Sequence, residues 1–218
     1  LKNSGLVKIG FYDGGFMQKN ELERFSTLNN LCVLHKIIDL RKQISEWKSE
    51  GLSVGLVPTM GGLHNGHGSL IKLASKKCDR VIVSIFVNPT QFGDDEDFET
   101  YPQTQKSDIT LISEAGGDAA FIPNVSEMYP RGFSTKVSVI GLTNMLCGAS
   151  RPGHFDGVTQ VVAKLLNQVS ADMAFFGEKD WQQLTIIKRL VRDLDIPTKI
   201  VNVATVRDEF GLALSSRN

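Results

Sequence analysis

The chain has 218 residues, of which 41% are hydrophobic and 22% are charged, as in ordinary globular proteins and unlike disordered or fibrous ones. Lysine plus arginine and aspartate plus glutamate number 24 each, and no apolar run reaches the length of a membrane span, so we expect neither a nucleic-acid nor a membrane partner. The three cysteines, Cys32, Cys78 and Cys147, lack metal-ligand spacing and favour reduced thiols in a cytoplasmic protein.

Residues 1–30 differ from the rest of the chain because they show no sustained apolar period. Three interpretations stay open for them: a poorly ordered N-terminal extension, a segment added in cloning, or a loosely docked arm. Nothing in this segment suggests chemistry. We therefore expect a single nucleotide-binding catalytic domain over residues 31–218.

From Leu31 onward, strand and helix patterns alternate. They predict, in chain order, a strand at 31–34, a helix at 36–51, a strand at 53–57, a helix beginning near Gly66, a strand at 80–87, a helix near 104–115, a strand at 119–123, a helix at 157–169, a strand at 173–176, a helix at 179–194 and a strand at 199–206. Pro58 is predicted to end the second strand, and Leu194 to face inward on the last helix. The alternation predicts an α/β fold with an open, doubly wound, mostly parallel sheet, whose ligands bind beyond the carboxyl ends of the strands.

The stretch "PTMGGLHNGH" follows the second strand and carries two histidines among glycines. Gly61, Gly62 and Gly66 allow the backbone to approach a ligand closely, and the helix that follows points free N–H groups into the same space. His64 and His67 would add hydrogen-bond donors for a polyphosphate. The alternative is that both rings only cap the helix or fill a polar loop; a zinc site is disfavoured because no third ligand is near.

Polar side chains also follow the other strands. "VNPTQF" supplies Asn88 and Gln91, whose amides suit a small polar acid, although turn residues satisfying local backbone are the alternative. The acidic run "GDDEDFE" at 93–99 is interpreted as a solvated loop.

The two remaining strand ends carry charge. In "FFGEKDWQQL", Lys179 suits a phosphate, Asp180 a ribose hydroxyl, and Gln183 lies one turn further on; an ordinary helix cap is the alternative. "LALSSRN" ends with two hydroxyls and the Arg217 guanidinium, which suit a triphosphate but form a weak signal alone. Taken together, four strand ends favour an ATP site beside a small-acid site.

From about Leu31 to its last residue, the chain resembles the pantoate–β-alanine ligase (pantothenate synthetase) family. The resemblance rests on "PTMGGLHNGH", "VSIFVNPTQF", "YPQT", "LCGASRPGHFDGV", "FFGEKDWQQL" and "GLALSSRN", in family order and spacing. It implies a nucleotidyltransferase-type Rossmann domain in which "HNGH" and "LSSR" match the HIGH and KMSKS elements. It further implies condensation of pantoate with β-alanine through a pantoyl-adenylate, dependent on ATP and Mg²⁺, in a cytoplasmic homodimer.

The resemblance also assigns site residues by position. His67, His64 and Lys179 would be catalytic, with His67 as proton donor; Gln91, Gln183 and Asn88 would hold pantoate or β-alanine; and Asp108 would accompany Mg²⁺. The implied ATP contacts are Met60, Gly61, Gly62, Leu63, His64, Asn65, Gly66, His67, Gly177, Glu178, Lys179, Asp180, Val206, Leu214, Ser215, Ser216 and Arg217.

The chain departs from the family pattern at several positions. Gln103 stands where arginine is usual, and Phe210 where an acidic residue is usual. Family members continue beyond "SSRN" into a small C-terminal domain that closes over the site, so this sequence corresponds to the N-terminal domain. Two alternatives to the ligase stay open: a nucleotide-binding, dimerising module with little turnover, and a nucleotidyltransferase that transfers AMP and stops.

Overall fold

The structure is a computed structural model that describes residues 31–93, 96, 98–102 and 104–218. The N-terminal segment 1–30 and the departure at Gln103 therefore lie outside the described residues. The strands are β1 (Cys32–Leu34), β2 (Val54–Thr59), β3 (Arg80–Ile85), β4 (Ala119–Phe121), β5 (Met173–Gly177) and β6 (Lys199–Val203). The helices are α1 (Ile37–Ser49), α2 (Asn65–Lys77), α3 (Gln105–Glu114), α4 (Val125–Met128), α5 (Cys147–Ser150), α6 (His154–Val169) and α7 (Trp181–Asp193), with short 3₁₀ turns at Pro89–Gln91, Leu142–Asn144 and Glu178–Asp180.

The six strands form one sheet in the order β1-β4-β3-β2-β5-β6, and every neighbouring pair is parallel. The predicted α/β, doubly wound class is confirmed. The chain runs outward from β2 in one direction through β3 and β4, and in the other direction from β5 to β6. The strand order therefore reverses between β2 and β5, and the crevice beyond their carboxyl ends is where such sheets bind ligands.

The prediction that Pro58 ends the second strand is wrong, because β2 continues through Pro58 to Thr59 and pairs with β3 along its full length. The Thr59 carbonyl faces β3 and accepts from the Phe86 N–H, so Pro58, one residue earlier, faces β5. On that side the ladder with β5 involves only Gly55 and Leu56. The missing N–H of Pro58 thus interrupts no strand pairing.

Apolar side chains cover both faces of the sheet. One cluster includes residues of α1, α6 and α7, among them Leu40, Val162 and Ile187, and the other includes Ile71 of α2 and Ile112 of α3. Helix α6 carries the predicted stripe from Val158 to Val169 and is also buried on its other sides. The prediction for Leu194 is wrong: it follows the end of α7 and is 56% exposed, because the helix stops before this position can turn inward.

Candidate functional site

A cavity of about 260 Å³ lies at the switch point of the sheet. Its walls come from the segments after β2, β3, β5 and β6 and from one side of α6. Within the part of the chain that the structure describes, no helix is long and apolar enough to cross a bilayer.

The two histidines form the N-terminal cap of α2. The Nδ1 atom of His64 accepts from the Gly66 N–H at 3.0 Å, and the Nδ1 atom of His67 accepts from the His64 N–H at 3.3 Å. The ring centroids are 4.2 Å apart, and both rings line the cavity. The capping interpretation and the ligand interpretation are therefore compatible, because each ring uses one nitrogen for the cap and keeps the other.

The cap also fixes the protonation state of the rings. A backbone N–H can only donate, so Nδ1 of each ring is unprotonated and the ring proton sits on Nε2. Burial, followed by the His64 ring and the Lys179 ammonium, lowers the pKa of His67 to about 3, and burial and Lys179 also lower the pKa of His64. At neutral pH both residues are therefore neutral Nε2–H donors rather than charged acids.

Asp108 holds the glycine loop that precedes the histidines. Its carboxylate accepts from the Gly62 N–H at 3.1 Å, the Leu63 N–H at 2.8 Å and the Thr104 hydroxyl at 3.0 Å. The side chain is 1% exposed and does not line the cavity, and burial raises its pKa despite these bonds. The oxygens of Asp108 are engaged by the loop in which Gly61 and Gly62 have φ values of +90° and +62°, and its association with Mg²⁺ stays a prediction.

The segment after β5 supplies the charged and amide groups of one wall. Gly177, Lys179, Asp180 and Gln183 all line the cavity. The Lys179 Nζ atom lies 3.4 Å from the Asp180 carboxylate, and both side chains are partly exposed, so the ammonium remains accessible to an anion. A contact of this kind with a neighbouring carboxylate is weak in solvent and is readily exchanged for a phosphate.

The C-terminal segment closes the opposite wall. Leu214 donates its N–H to the Val206 carbonyl at 3.0 Å, which joins the segment after β6 to the one carrying Ser215 and Ser216. The guanidinium carbon of Arg217 lies 5.6 Å from the centre of the Tyr101 ring. Val206 and Leu214 to Arg217 all line the cavity, together with His67 and Lys179.

The cavity lining also combines two glutamine amides, those of Gln91 and Gln183, with apolar side chains. Gln91 is 8% exposed and its Nε2 atom donates to the Met60 sulfur at 2.9 Å. The apolar lining comes from β5, from α6 and from the residue that follows β3, and it includes Phe86, Val158, Val161, Val162, Leu165 and Phe176. Asn88 is fully buried and does not reach the cavity; its Nδ2 atom donates to Gln91 Oε1 at 3.2 Å, so it supports Gln91 instead.

Two residues to which the sequence analysis assigned no role, Arg151 and His154, also shape the site. Arg151 makes two bonds to the Glu96 carboxylate, at 2.6 and 2.5 Å, and lies 3.1 Å from the His154 Nε2 atom. His154 Nδ1 is bonded to the Gln91 carbonyl at 2.7 Å, and burial lowers the pKa of His154. Their signal was "SRPGHF" within a motif that the resemblance quoted without assigning roles.

The cavity therefore collects most of the predicted site residues. Those that line it are Met60, His64, Gly66, His67, Gln91, Gly177, Lys179, Asp180, Gln183, Val206, Leu214, Ser215, Ser216 and Arg217. Those that do not line it are Gly61, Gly62, Leu63, Asn65, Asn88, Asp108 and Glu178, which flank or support the lining segments. Among the described residues, no group of three or more His, Cys, Asp or Glu side chains is arranged to hold a metal ion.

Comparison with known proteins identifies the family of the chain. A family model described as pantoate–β-alanine ligase matches residues 32–218. The chain belongs to the pantoate–β-alanine ligase family. The pantothenate synthetase of Dinoroseobacter shibae is 57% identical over 85% of this chain and 66% of its own length, and that of Moorella thermoacetica is 56% identical with the same coverage.

Solved structures of pantoate–β-alanine ligases share the fold. The Thermus thermophilus enzyme has a TM-score of 0.80 at 49% identity over 85% of this chain and 66% of its own. The Francisella tularensis enzyme, solved as a complex with β,γ-ATP and β-alanine, has a TM-score of 0.80 at 43% identity over 86% of this chain and 72% of its own. The chain thus spans about two thirds of the length of these relatives.

Proposed function

We propose that the chain carries the catalytic site for the ATP-dependent condensation of pantoate with β-alanine, which yields pantothenate, AMP and pyrophosphate. Family membership supports this activity, and so does the structure of a relative solved with β,γ-ATP and β-alanine.

The observation that carries the proposal is that one cavity gathers two chemically different sets of groups. His64, His67, Lys179 and Arg217 offer cationic groups and neutral N–H donors, which suit a triphosphate. The same lining holds the Gln91 and Gln183 amides and several aliphatic and aromatic side chains, which suit a branched hydroxy acid. A site of this kind brings a carboxylate and a nucleotide together.

In the first step a pantoate carboxylate oxygen bonds to the α-phosphorus of ATP, and the bond from that phosphorus to pyrophosphate breaks. Negative charge grows on the phosphate oxygens during this step. Lys179 and Arg217 oppose it with positive charge, while His64 and His67 oppose it as neutral Nε2–H donors. We therefore assign His67 hydrogen-bond donation rather than proton transfer, because its lowered pKa leaves no acidic proton at neutral pH.

In the second step the neutral β-alanine amine bonds to the acyl carbon of the pantoyl-adenylate, the bond from that carbon to the AMP oxygen breaks, and the amine nitrogen releases a proton to solvent. AMP is a good leaving group, so positioning of the amine suffices and no nucleophilic side chain is needed. We propose that Mg²⁺ enters as part of the MgATP substrate, since Mg²⁺ is usually held by substrate phosphates and few protein carboxylates.

The direct test incubates the chain with MgATP, pantoate and β-alanine and quantifies AMP and pantothenate by mass spectrometry. We expect the two products in equal amounts. ATP binding without either product would favour the nucleotide-binding module, and a stable adenylated product without pantothenate would favour the transferase that stops after AMP transfer.

We further propose that the protein acts as a cytoplasmic homodimer. Apolar side chains of the segment before α6 and of the first turn of α7 are exposed: Ile140 is 92%, Leu146 75% and Trp181 61% exposed. Gln182 ties the two segments together by donating to the Leu142 and Met145 carbonyls. Burial of these exposed apolar groups in an interface stabilises the associated state. Light scattering should therefore report a dimer, and Ile140→Asp should shift the equilibrium toward the monomer. A wild-type monomer at micromolar concentration would contradict the proposal.

A further inference from the structure

Tyr129 is distant in sequence from Gln91, which lines the cavity. Its hydroxyl nevertheless bonds to Asn88, the residue that supports Gln91. Tyr129 follows α4, and its Oη atom donates to Asn88 Oδ1 at 2.8 Å across 41 positions of sequence. Neither the motifs nor the lining of the cavity pointed to this tyrosine.

The neighbouring groups show which atom of the Asn88 amide is the oxygen. That oxygen faces the Thr90 N–H at 3.3 Å, which can only donate, and the nitrogen faces the Gly157 carbonyl at 3.0 Å, which can only accept. The Thr90 hydroxyl also bonds to the oxygen at 3.0 Å, and the Tyr129 bond at 2.8 Å is the shortest of the three. The Tyr129 hydroxyl must therefore donate to Asn88 Oδ1. The second Asn88 N–H points at Gln91 Oε1, 3.2 Å away.

This arrangement decides which end of the Gln91 amide meets a ligand. Because Oε1 is held by Asn88, the Nε2 atom is the one beside the Met60 sulfur, at 2.9 Å on the cavity side. Gln91 is thus presented as a donor, which suits a carboxylate or hydroxyl oxygen. A turn of the amide would present an acceptor instead and repel a carboxylate.

Packing holds the Tyr129 ring so that its hydroxyl keeps this direction. The ring lies edge-on to Phe133 at 5.2 Å and tilted to Phe86 at 6.1 Å, and the Lys164 Nζ atom lies 5.7 Å from its centre. Burial raises the pKa of Tyr129, so the hydroxyl remains a donor throughout the neutral range.

We propose that Tyr129 is a positioning residue that orients the Gln91 amide through Asn88 toward the acid substrate. The inference rests on the proposed function for the identity of that substrate. The orientation itself depends on the hydrogen bonds around Asn88, among which the Tyr129 bond to the oxygen is the shortest.

The kinetic test compares Tyr129→Phe, which removes one hydroxyl, with Phe133→Leu, which loosens the same aromatic packing without touching Asn88. The loss of one neutral hydrogen bond weakens a binding constant about threefold to tenfold. Tyr129→Phe should therefore raise the KM for pantoate by that factor and leave the KM for ATP unchanged. Phe133→Leu should change neither KM. Equal changes in both KM values for Tyr129→Phe, or none, would overturn the proposal.

A second readout does not depend on turnover. In the chain labelled with ¹⁵N-glutamine, the Gln91 side-chain amide is assigned by its loss in Gln91→Glu. Tyr129→Phe should shift this signal and speed its hydrogen exchange at least threefold, whereas Phe133→Leu should not. An unchanged Gln91 signal overturns the inference.

The two readouts separate the inference from the proposed function. If the wild-type chain makes no pantothenate, the proposed function fails and the amide spectrum alone decides the role of Tyr129. If Tyr129→Phe does not fold, Asn88→Asp takes its place: its carboxylate would attract Gln91 Nε2 and turn the amide, so both the Gln91 signal and the KM for pantoate should change. An unchanged signal in that variant contradicts the proposed relay.

Discussion

Lowering the pH should destabilise the protein through His67, and the size of the effect follows from its environment. The pKa of His67 falls from 6.5 to about 3 because of burial, His64 and Lys179. Below pH 6.5 the unfolded chain binds a proton at this ring that the folded chain does not bind. Stability from this group is therefore fully present above pH 6.5 and is lost as the pH falls toward 3.

Each pH unit in that window corresponds to about 1.36 kcal/mol for one group, so the loss between pH 6.5 and 5.0 is at most about 2 kcal/mol. Solvent reaches part of the ring, so we expect the stability lost over this interval to be about 1 to 2 kcal/mol. His67→Gln keeps an acceptor for the His64 N–H and cannot titrate. Its free energy of unfolding should therefore fall less over this interval than that of the wild-type chain, by the same 1 to 2 kcal/mol.

Urea denaturation at pH 7.0, 6.0 and 5.0, followed by circular dichroism, measures the difference. Parallel pH dependences for the two proteins would refute the lowered pKa of His67 and, with it, the role of a neutral N–H donor. The circular dichroism spectrum at pH 7.0 shows beforehand whether His67→Gln is folded. If it is unfolded, His67→Asn takes its place.

Three further changes test the site and its supports. Lys179→Met should weaken ATP binding about tenfold to hundredfold by calorimetry, whereas Lys188→Met, the same change on an exposed face of α7, should not. Gly157→Ala should lower the free energy of unfolding by about 1–3 kcal/mol in urea, because its Cβ would lie 2.2 Å from a backbone oxygen; Gly68→Ala, with 3.6 Å of room, should not. Asp108→Asn should lower the melting temperature equally with and without Mg²⁺; a loss seen only with Mg²⁺ would favour the predicted role beside the metal.

The sequence was most informative where local pattern decides structure. Alternating strands and helices predicted the parallel sheet, and parallel strands align their carboxyl ends, so His67, Lys179 and Arg217 could be expected in one crevice although they lie far apart in the chain. The Pro58 prediction failed because it depends on which side of β2 the missing N–H faces, and that is set by the neighbouring strands.

Roles that depend on packing could not be predicted in this way. Asn88 and Asp108 are polar residues near the site, but only the structure shows that they are buried and bonded to Gln91 and to the glycine loop. Tyr129 bonds to Asn88 across 41 positions of sequence, and Arg151 bonds to Glu96 across 55. The local spacing of apolar residues does not reveal such long-range hydrogen bonds.

The most direct test of the account is a crystal structure of this chain with a non-hydrolysable ATP analogue and pantoate. The account predicts the triphosphate within hydrogen-bond distance of His67 Nε2, Lys179 Nζ and the Arg217 guanidinium, with the pantoate carboxylate beside Gln91 Nε2. A nucleotide bound elsewhere, or these three side chains turned away from it, would contradict the central claim that one cavity joins the two substrates.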